Sequence, residues 1–343
     1  MTHADLTSTA QALVANGKGI LAADETVRTI SRRLDALEIP STFNSRAAFR
    51  ELFFSTPGVA EFISGVIMHE ETIRQQSSSG VPFSELLSEQ GILPGIKVDN
   101  GAQSFAGAPG QFVTEGLDAL RGRLTAFRKL GARFAKWRAL IAVSSTTPTG
   151  ACVLANAHAL ARFAALCQEQ DVVPVIEPEV LMDGEHTLER TESVTASVLH
   201  AVFNALHHQN VLLEGLLLKP NMVLSGMECS VQAAPEEVAA ATLRTVSRHV
   251  PAAVPGVVFL SGAQSPLAAT LHLNLINQLS RSKPWALSYS YGRALQDEAL
   301  AAWRGKNENV REAQSAFYHR ARCGSAAALG QYSPSMETES VVA

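Results

Sequence analysis

Residues 133–140 read RFAKWRAL and residues 172–179 read VVPVIEPE. Each is a short apolar run carrying two charged residues two positions apart: Lys136 and Arg138 in the first, Glu177 and Glu179 in the second. A parallel strand covered on both faces needs a near-continuous apolar run of this kind. A two-residue step along a strand returns to the same face, so each charged pair points one way. Reading outward from these two stretches finds six more runs: GILAAD (19–24), FISGVIM (62–68), LPGIKVD (93–99), EGLLLKP (214–220), GVVFLSG (256–262) and WALSYSYG (285–292). They follow one another at intervals of about 30 to 45 residues, which leaves room for a helix after each strand.

The intervening segments carry helical spacing. In GLDALRGRLTAFRKLGA (116–132), Leu117, Leu120, Leu124, Phe127 and Leu130 recur at three- and four-residue steps, and Gly131 follows as a C-terminal cap. In PEEVAAATLRTVSRHV (235–250), Pro235 suits a first helical position and the two glutamates after it suit the positive end of the helix dipole. Eight alternations of strand and helix predict an α/β protein of the closed (β/α)8 TIM-barrel class. A doubly wound open sheet is the rival, and it lacks a G-x-G-x-x-G after any early strand. The reading takes residues 1–343 as a single barrel domain with a flexible C-terminal tail from about 333.

Composition narrows the function classes. Of 343 residues, 46% are hydrophobic and 17% charged, with a formal net charge of -4. That balance gives no call for a nucleic-acid partner, so any phosphate binding must come from local cations. Cys152, Cys167, Cys229 and Cys323 are scattered without a C-x-x-C pair, which fits a reducing compartment and no disulfide framework. The N-terminal residues lack the pattern of a signal peptide, and no run approaches the apolar length of a membrane span. A cytoplasmic location with no membrane partner is expected. The ten histidines show no H-E-x-x-H spacing, so no metal and no cofactor is expected in the chemistry.

In a barrel of this class the chemistry sits at the C-terminal ends of the strands. Asp24, Lys97, Lys136, Arg138, Glu177, Glu179, Lys219 and Arg293 all fall at or just after those ends. Lys219 ends an apolar strand, where desolvation and the repulsion of Lys136 and Arg138 favour the neutral amine that attacks a carbonyl. Its plainer reading is a lysine whose head reaches water. Glu177 and Glu179 can serve as an acid and a base, either ionised or held protonated by burial, or can simply pair with Lys136. Asp24, followed by Thr26 and Thr29, also reads as an ordinary helix start. The turns LSGAQS around Ser261 and Gly262, and SYGRA around Gly292 and Arg293, lie where barrels commonly bind phosphate.

The stretches GKGILAADE, GIKVD, FAKWR, PVIEPE, LEGLLLKPNM, FLSGAQS and KPWALSYSYGRALQ together resemble the class I fructose-bisphosphate aldolase family, in order, from about residue 17 to about 335. The resemblance implies an imine between Lys219 and the ketone carbon of fructose 1,6-bisphosphate, in glycolysis or gluconeogenesis. It implies that Glu177 shuttles protons, that Asp24 serves the hydroxyl that becomes the aldehyde, that Lys136 controls charge and that Glu179 tunes them. Ser261, Gly262, Gly292 and Arg293 would hold the ketone-side phosphate; Lys97, Arg138, Arg33, Thr26 and Thr29 are candidates for the distal end. A homotetramer is implied as well.

Three departures stand out. The chain ends SMETESVVA, and its last tyrosine is Tyr332, whereas the best-known members end in a tyrosine that assists proton exchange on the enamine. Ala263 follows Gly262 where a glycine pair is usual, and Thr26 and Thr29 replace serines. Two rival functions remain at this point: a transaldolase-like Schiff-base enzyme for sugar monophosphates, and a non-catalytic barrel used for binding.

Overall fold

The structure is a computed structural model that describes residues 3–279 and 282–338. Eight parallel strands close into a barrel: β1 Gly19–Ala23, β2 Ile63–Met68, β3 Leu93–Lys97, β6 Phe134–Ile141, β7 Val173–Val180, β8 Leu217–Leu218, β9 Gly256–Phe259 and β10 Ala286–Tyr291, in the order β1-β10-β9-β8-β7-β6-β3-β2. Six lie within the apolar runs of the sequence, and β6 and β7 each run one residue past theirs, to Ile141 and Val180. A short antiparallel hairpin, β4 Ala102–Ser104 and β5 Phe112–Thr114, interrupts the alternation after β3 and has no counterpart among those runs.

Strand parity sorts the side chains. Ile20, Ala22, Ile67, Phe134, Val173, Val175, Leu217 and Val258 form a buried cluster of their own. They alternate with residues such as Leu21, Ala23, Ala135, Trp137, Ile176, Leu218 and Val257, which pack outward in the larger cluster with the helices. Two residues further along the inward parity stand Asp24, Lys136, Glu177 and Lys219. The barrel interior is therefore apolar low down and charged at its C-terminal mouth.

The lower end is plugged. Helix His3–Leu13 contributes Leu6, Ala10 and Leu13 to the inner cluster, with Val14 just beyond. The strands make room for it: a Cβ at Gly65 would stand 2.7 Å from Leu13 Cδ2, and one at Gly256 would stand 2.5 Å from Val14 Cγ1. The plug is the physical reason that the interior can be polar only at the other end.

The helices form the outer layer. Helix Leu120–Lys129 ends as read, with Gly131 at φ 101°; its N–H donates to Arg128 O and the next N–H, of Ala132, to Phe127 O, a double closure of the last turn. Pro235 opens helix Pro235–His249, and Glu237 accepts from Ala234 N at 2.8 Å. Helix Gly150–Glu169 corrects one expectation: over an 18-residue window its mean hydropathy is 1.4, long and apolar enough by composition to cross a membrane. Its apolar side packs on the barrel instead, with Leu160, Ala161, Phe163, Ala164 and Cys167 fully buried and Phe163 against Trp137 of β6.

Of the tail expected from about 333, Pro334–Thr338 forms a 3₁₀ turn tied down by Glu337, which accepts from Arg320 and, at 2.7 Å, from Tyr332 Oη. Residues 339–343 lie outside the described residues.

Candidate functional site

The mouth of the barrel is a cavity of about 340 Å³. Its lining includes all fourteen residues selected from the sequence: Asp24, Thr26, Thr29, Arg33, Lys97, Lys136, Arg138, Glu177, Glu179, Lys219, Ser261, Gly262, Gly292 and Arg293.

Register builds the centre. Lys219 directly follows β8, and its N–H donates to Ile176 O at 2.8 Å, which sets its side chain level with Glu177 of β7. Glu177 Oε1 lies 3.1 Å from Lys219 Nζ, and Glu177 Oε2 lies 2.9 Å from Lys136 Nζ. On its other side Lys136 Nζ reaches Asp24 Oδ2 at 2.7 Å, across the barrel from β6 to β1. The result is a row of alternating charge, Asp24, Lys136, Glu177, Lys219, of which the last three are buried.

Electrostatics hold Asp24, Lys136 and Glu177 ionised. Burial alone would raise the Asp24 carboxyl, but Lys136, with Lys219 and Lys97 behind it, holds it well below the usual carboxylate range. Burial would raise Glu177 too, and Lys136, Lys219 and Arg138 outweigh it, so its carboxyl is lowered. For Lys136 burial works against the ammonium, and Asp24 and Glu177 more than restore it. Of the two states the sequence left open for Glu177, the ionised one is favoured. One expectation is corrected: Lys136 does not face Lys219 as a bare cation, because a carboxylate stands between them.

Glu179 lies one inward step beyond Glu177 and pairs with Nε of Arg138, so it reaches the centre only through that guanidinium. Lys97 Nζ is held by Asp99, at 2.5 Å from Oδ1 and 2.9 Å from the carbonyl. The register sets Lys97 opposite Lys136. Thr26 caps helix Val27–Asp35, accepting from Thr29 N at 3.3 Å, and the two hydroxyl oxygens are 3.0 Å apart. The segment is a helix start and also part of the cavity lining.

Ser261 and Gly262 form the turn after β9. Gly262 has φ +58°, and a Cβ there would sit 2.5 Å from Met182 Cε, so this position needs glycine on both counts. Arg293 opens helix Arg293–Trp303 and donates to Gly262 O at 2.5 Å, joining the last two turns. Arg33 adjoins this group, not Lys97: it donates to Gln296 Oε1 at 2.6 Å and pairs with Asp297 at 2.8 Å, both on the Arg293 helix.

Two polar lining residues escaped the sequence reading. Ser290 faces inward on β10, and its buried Oγ has no hydrogen-bond partner among the described residues. The alternation of Ser288, Ser290 and Gly292 was the signal that could have found it. Glu25 bridges Arg33 and the buried Arg50, each at 2.5 Å. Nothing local announces it, since its partners come from two different helices.

The family model for class I fructose-bisphosphate aldolase matches residues 5–342. A probable class 1 fructose-bisphosphate aldolase of Xanthomonas campestris is 51% identical over 97% of this chain and 99% of its own length. A cytosolic fructose-bisphosphate aldolase of Arabidopsis thaliana is 50% identical over 92% of this chain and 88% of its own. The solved fructose-bisphosphate aldolase of Plasmodium falciparum, in complex with TRAP and a small-molecule inhibitor, superposes with a TM-score of 0.95 at 47% identity, covering 96% of this chain and 95% of that one. With the family model spanning nearly its whole length, this chain belongs to the class I fructose-bisphosphate aldolase family, the metal-independent lyases that cleave fructose 1,6-bisphosphate into two triose phosphates.

Proposed function

We propose that Lys219 carries the reaction by forming an imine with the ketone carbon of fructose 1,6-bisphosphate. The single observation behind this assignment is the buried Lys219 Nζ, 3.1 Å from the Glu177 carboxyl at the C-terminal mouth of the barrel. Glu177 takes the proton from the Lys219 ammonium, and the free amine adds to the carbonyl. The same carboxyl then returns a proton to the carbinolamine hydroxyl, which leaves as water. Asp24 accepts the proton of the hydroxyl on the carbon beyond the scissile bond. As that oxygen becomes the aldehyde, the carbon–carbon bond breaks and its electron pair passes into the iminium, giving an enamine. Lys136, between Asp24 and Glu177, keeps both carboxylates charged and apart.

The cations are divided between two ends of the cavity. Arg293, with the turn at Ser261, Gly262 and Gly292, holds the ketone-side phosphate; Lys97, Arg138 and the Thr26–Thr29 hydroxyls serve the distal phosphate. Arg33 reaches the same cavity, beside the Arg293 helix. Glu179 orients Arg138. The chain works as one barrel unit, in the cytoplasm, as a homotetramer. Cytosolic relatives of half-identical sequence support the location, and family membership supports the assembly.

Borohydride trapping with dihydroxyacetone phosphate, followed by peptide mass mapping, tests the centre of this proposal. A reduced adduct on Lys219, formed equally with EDTA present, is expected. An adduct on another lysine, or none from a folded sample, overturns it.

A further inference from the structure

Away from the barrel mouth, His319 and Cys323 lie one turn apart on helix Val310–Ala328, and Glu337 comes down on them from the 3₁₀ turn Pro334–Thr338. None of the three lines the catalytic cavity. One donor atom from each lies within 4.8 Å of the others. His319 Nε2 is 3.7 Å from Cys323 Sγ and 3.6 Å from Glu337 Oε2. The second separation is too long for a hydrogen bond. Two ligands of one tetrahedral zinc ion, with Zn–S near 2.3 Å and Zn–N or Zn–O near 2.05 Å, stand about 3.6 Å apart for sulfur and nitrogen and about 3.3 Å for nitrogen and oxygen. The observed spacings are close to those values without any rearrangement of the helix.

We propose that His319, Cys323 and Glu337 bind a thiophilic divalent cation of the zinc type, which fastens the 331–338 segment to the last helix. The donor set selects against magnesium and calcium, which take oxygen ligands, and favours zinc or cobalt. Cys323 is fully buried, so its sulfur meets the ion in a dry setting. Glu337 divides its carboxylate: Oε1 takes Tyr332 Oη and Arg320 Nη2, and Oε2, which also meets Arg320 Nη1, faces His319. Arg320 thus orients the carboxylate while opposing a second positive charge. The Nδ1 of His319 has no partner among the described residues. Lack of that outer hydrogen bond costs about 10–100-fold in affinity, so the site is weaker than a four-ligand structural zinc site. It takes no part in the metal-independent aldol chemistry.

Zinc titration of the full chain against a chromogenic chelator decides the matter, with cobalt as a spectroscopic probe. One equivalent per chain is expected, with affinity falling about tenfold or more in Cys323→Ser and in Glu337→Gln. The wild-type cobalt complex should show thiolate-to-metal charge transfer, a readout that does not depend on either variant folding. Hydrogen exchange over 331–338 should slow on adding zinc. No saturable uptake by the wild type, absence of the charge-transfer band, or affinity retained within about twofold in Cys323→Ser overturns the proposal, leaving the Arg320–Glu337 ion pair as the fastening of this segment.

Discussion

Glu177 Oε1 stands 3.1 Å from Lys219 Nζ while the other oxygen of the same carboxylate stands 2.9 Å from Lys136 Nζ. One buried carboxylate thus separates two buried amines. In the proposed mechanism this arrangement gives Glu177 two separable duties: accepting a proton from one amine and screening it from the other.

Glu177→Gln removes the first duty and most of the second. Cleavage of fructose 1,6-bisphosphate should fall by about 10²–10⁴-fold, the range for loss of a positioned acid–base group. The loss should appear in the rate of imine formation, measured by quenching single turnovers with borohydride. Lys219→Met should trap nothing at all. Imine formation at wild-type rate in Glu177→Gln would assign the proton transfers elsewhere.

Among the described residues, Arg293 makes its side-chain hydrogen bond to one carbonyl, Gly262 O. Its truncation to alanine leaves no buried charge behind and should scarcely alter the denaturation midpoint. A charge-assisted hydrogen bond to phosphate contributes about 1.5–3 kcal/mol, so KM for the bisphosphate should rise about 10–100-fold with a smaller change in kcat. Steady-state kinetics check this, and an unchanged KM would remove Arg293 from the phosphate site.

His272 carries a pH signature. Burial pushes its imidazole down from 6.5 to about 4, and its Nδ1 lies 2.7 Å from Gln264 Oε1 beneath the Ser261 turn. The folded value lies below the unfolded one, so the unfolded chain takes up the proton first. The stabilisation is therefore complete above about pH 6.5 and is lost as pH falls toward 4, by roughly 3 kcal/mol. His69 and His186 are lowered by burial in the same sense, so the comparison that isolates His272 is with His272→Gln. Denaturant midpoints at pH 7 and 4.5 should differ less in the variant than in the wild type; equal differences would refute the assignment.

Proton exchange on bound dihydroxyacetone phosphate should be slower than cleavage. The last tyrosine, Tyr332, is nearly buried and donates to Glu337, which commits its hydroxyl to the tail. Deuterium incorporation followed by NMR measures the exchange, and Tyr332→Phe should leave its rate unchanged. Exchange as fast as cleavage, or a large loss in Tyr332→Phe, would contradict this.

The local pattern carried the barrel and the membership of its mouth. Apolar runs of strand length and two-residue parity follow from the short-range geometry of the chain. That is why spacing alone assigns Lys136 with Arg138, and Glu177 with Glu179, to one face. The parity also held Ser290, which went unread because a serine between two tyrosines carries no charge to draw notice. Pairing partners were a different matter. That Glu177 sits between two lysines, that Glu25 joins Arg33 to Arg50, that Arg33 adjoins the Arg293 helix, and that helix His3–Leu13 fills the bottom of the barrel depend on inter-strand register and on closure of the sheet. Apart from Glu25 with Arg33, eight positions apart, these are contacts between residues tens to hundreds of positions apart. A one-dimensional pattern says which way a side chain points; only the closed barrel decides what it meets there.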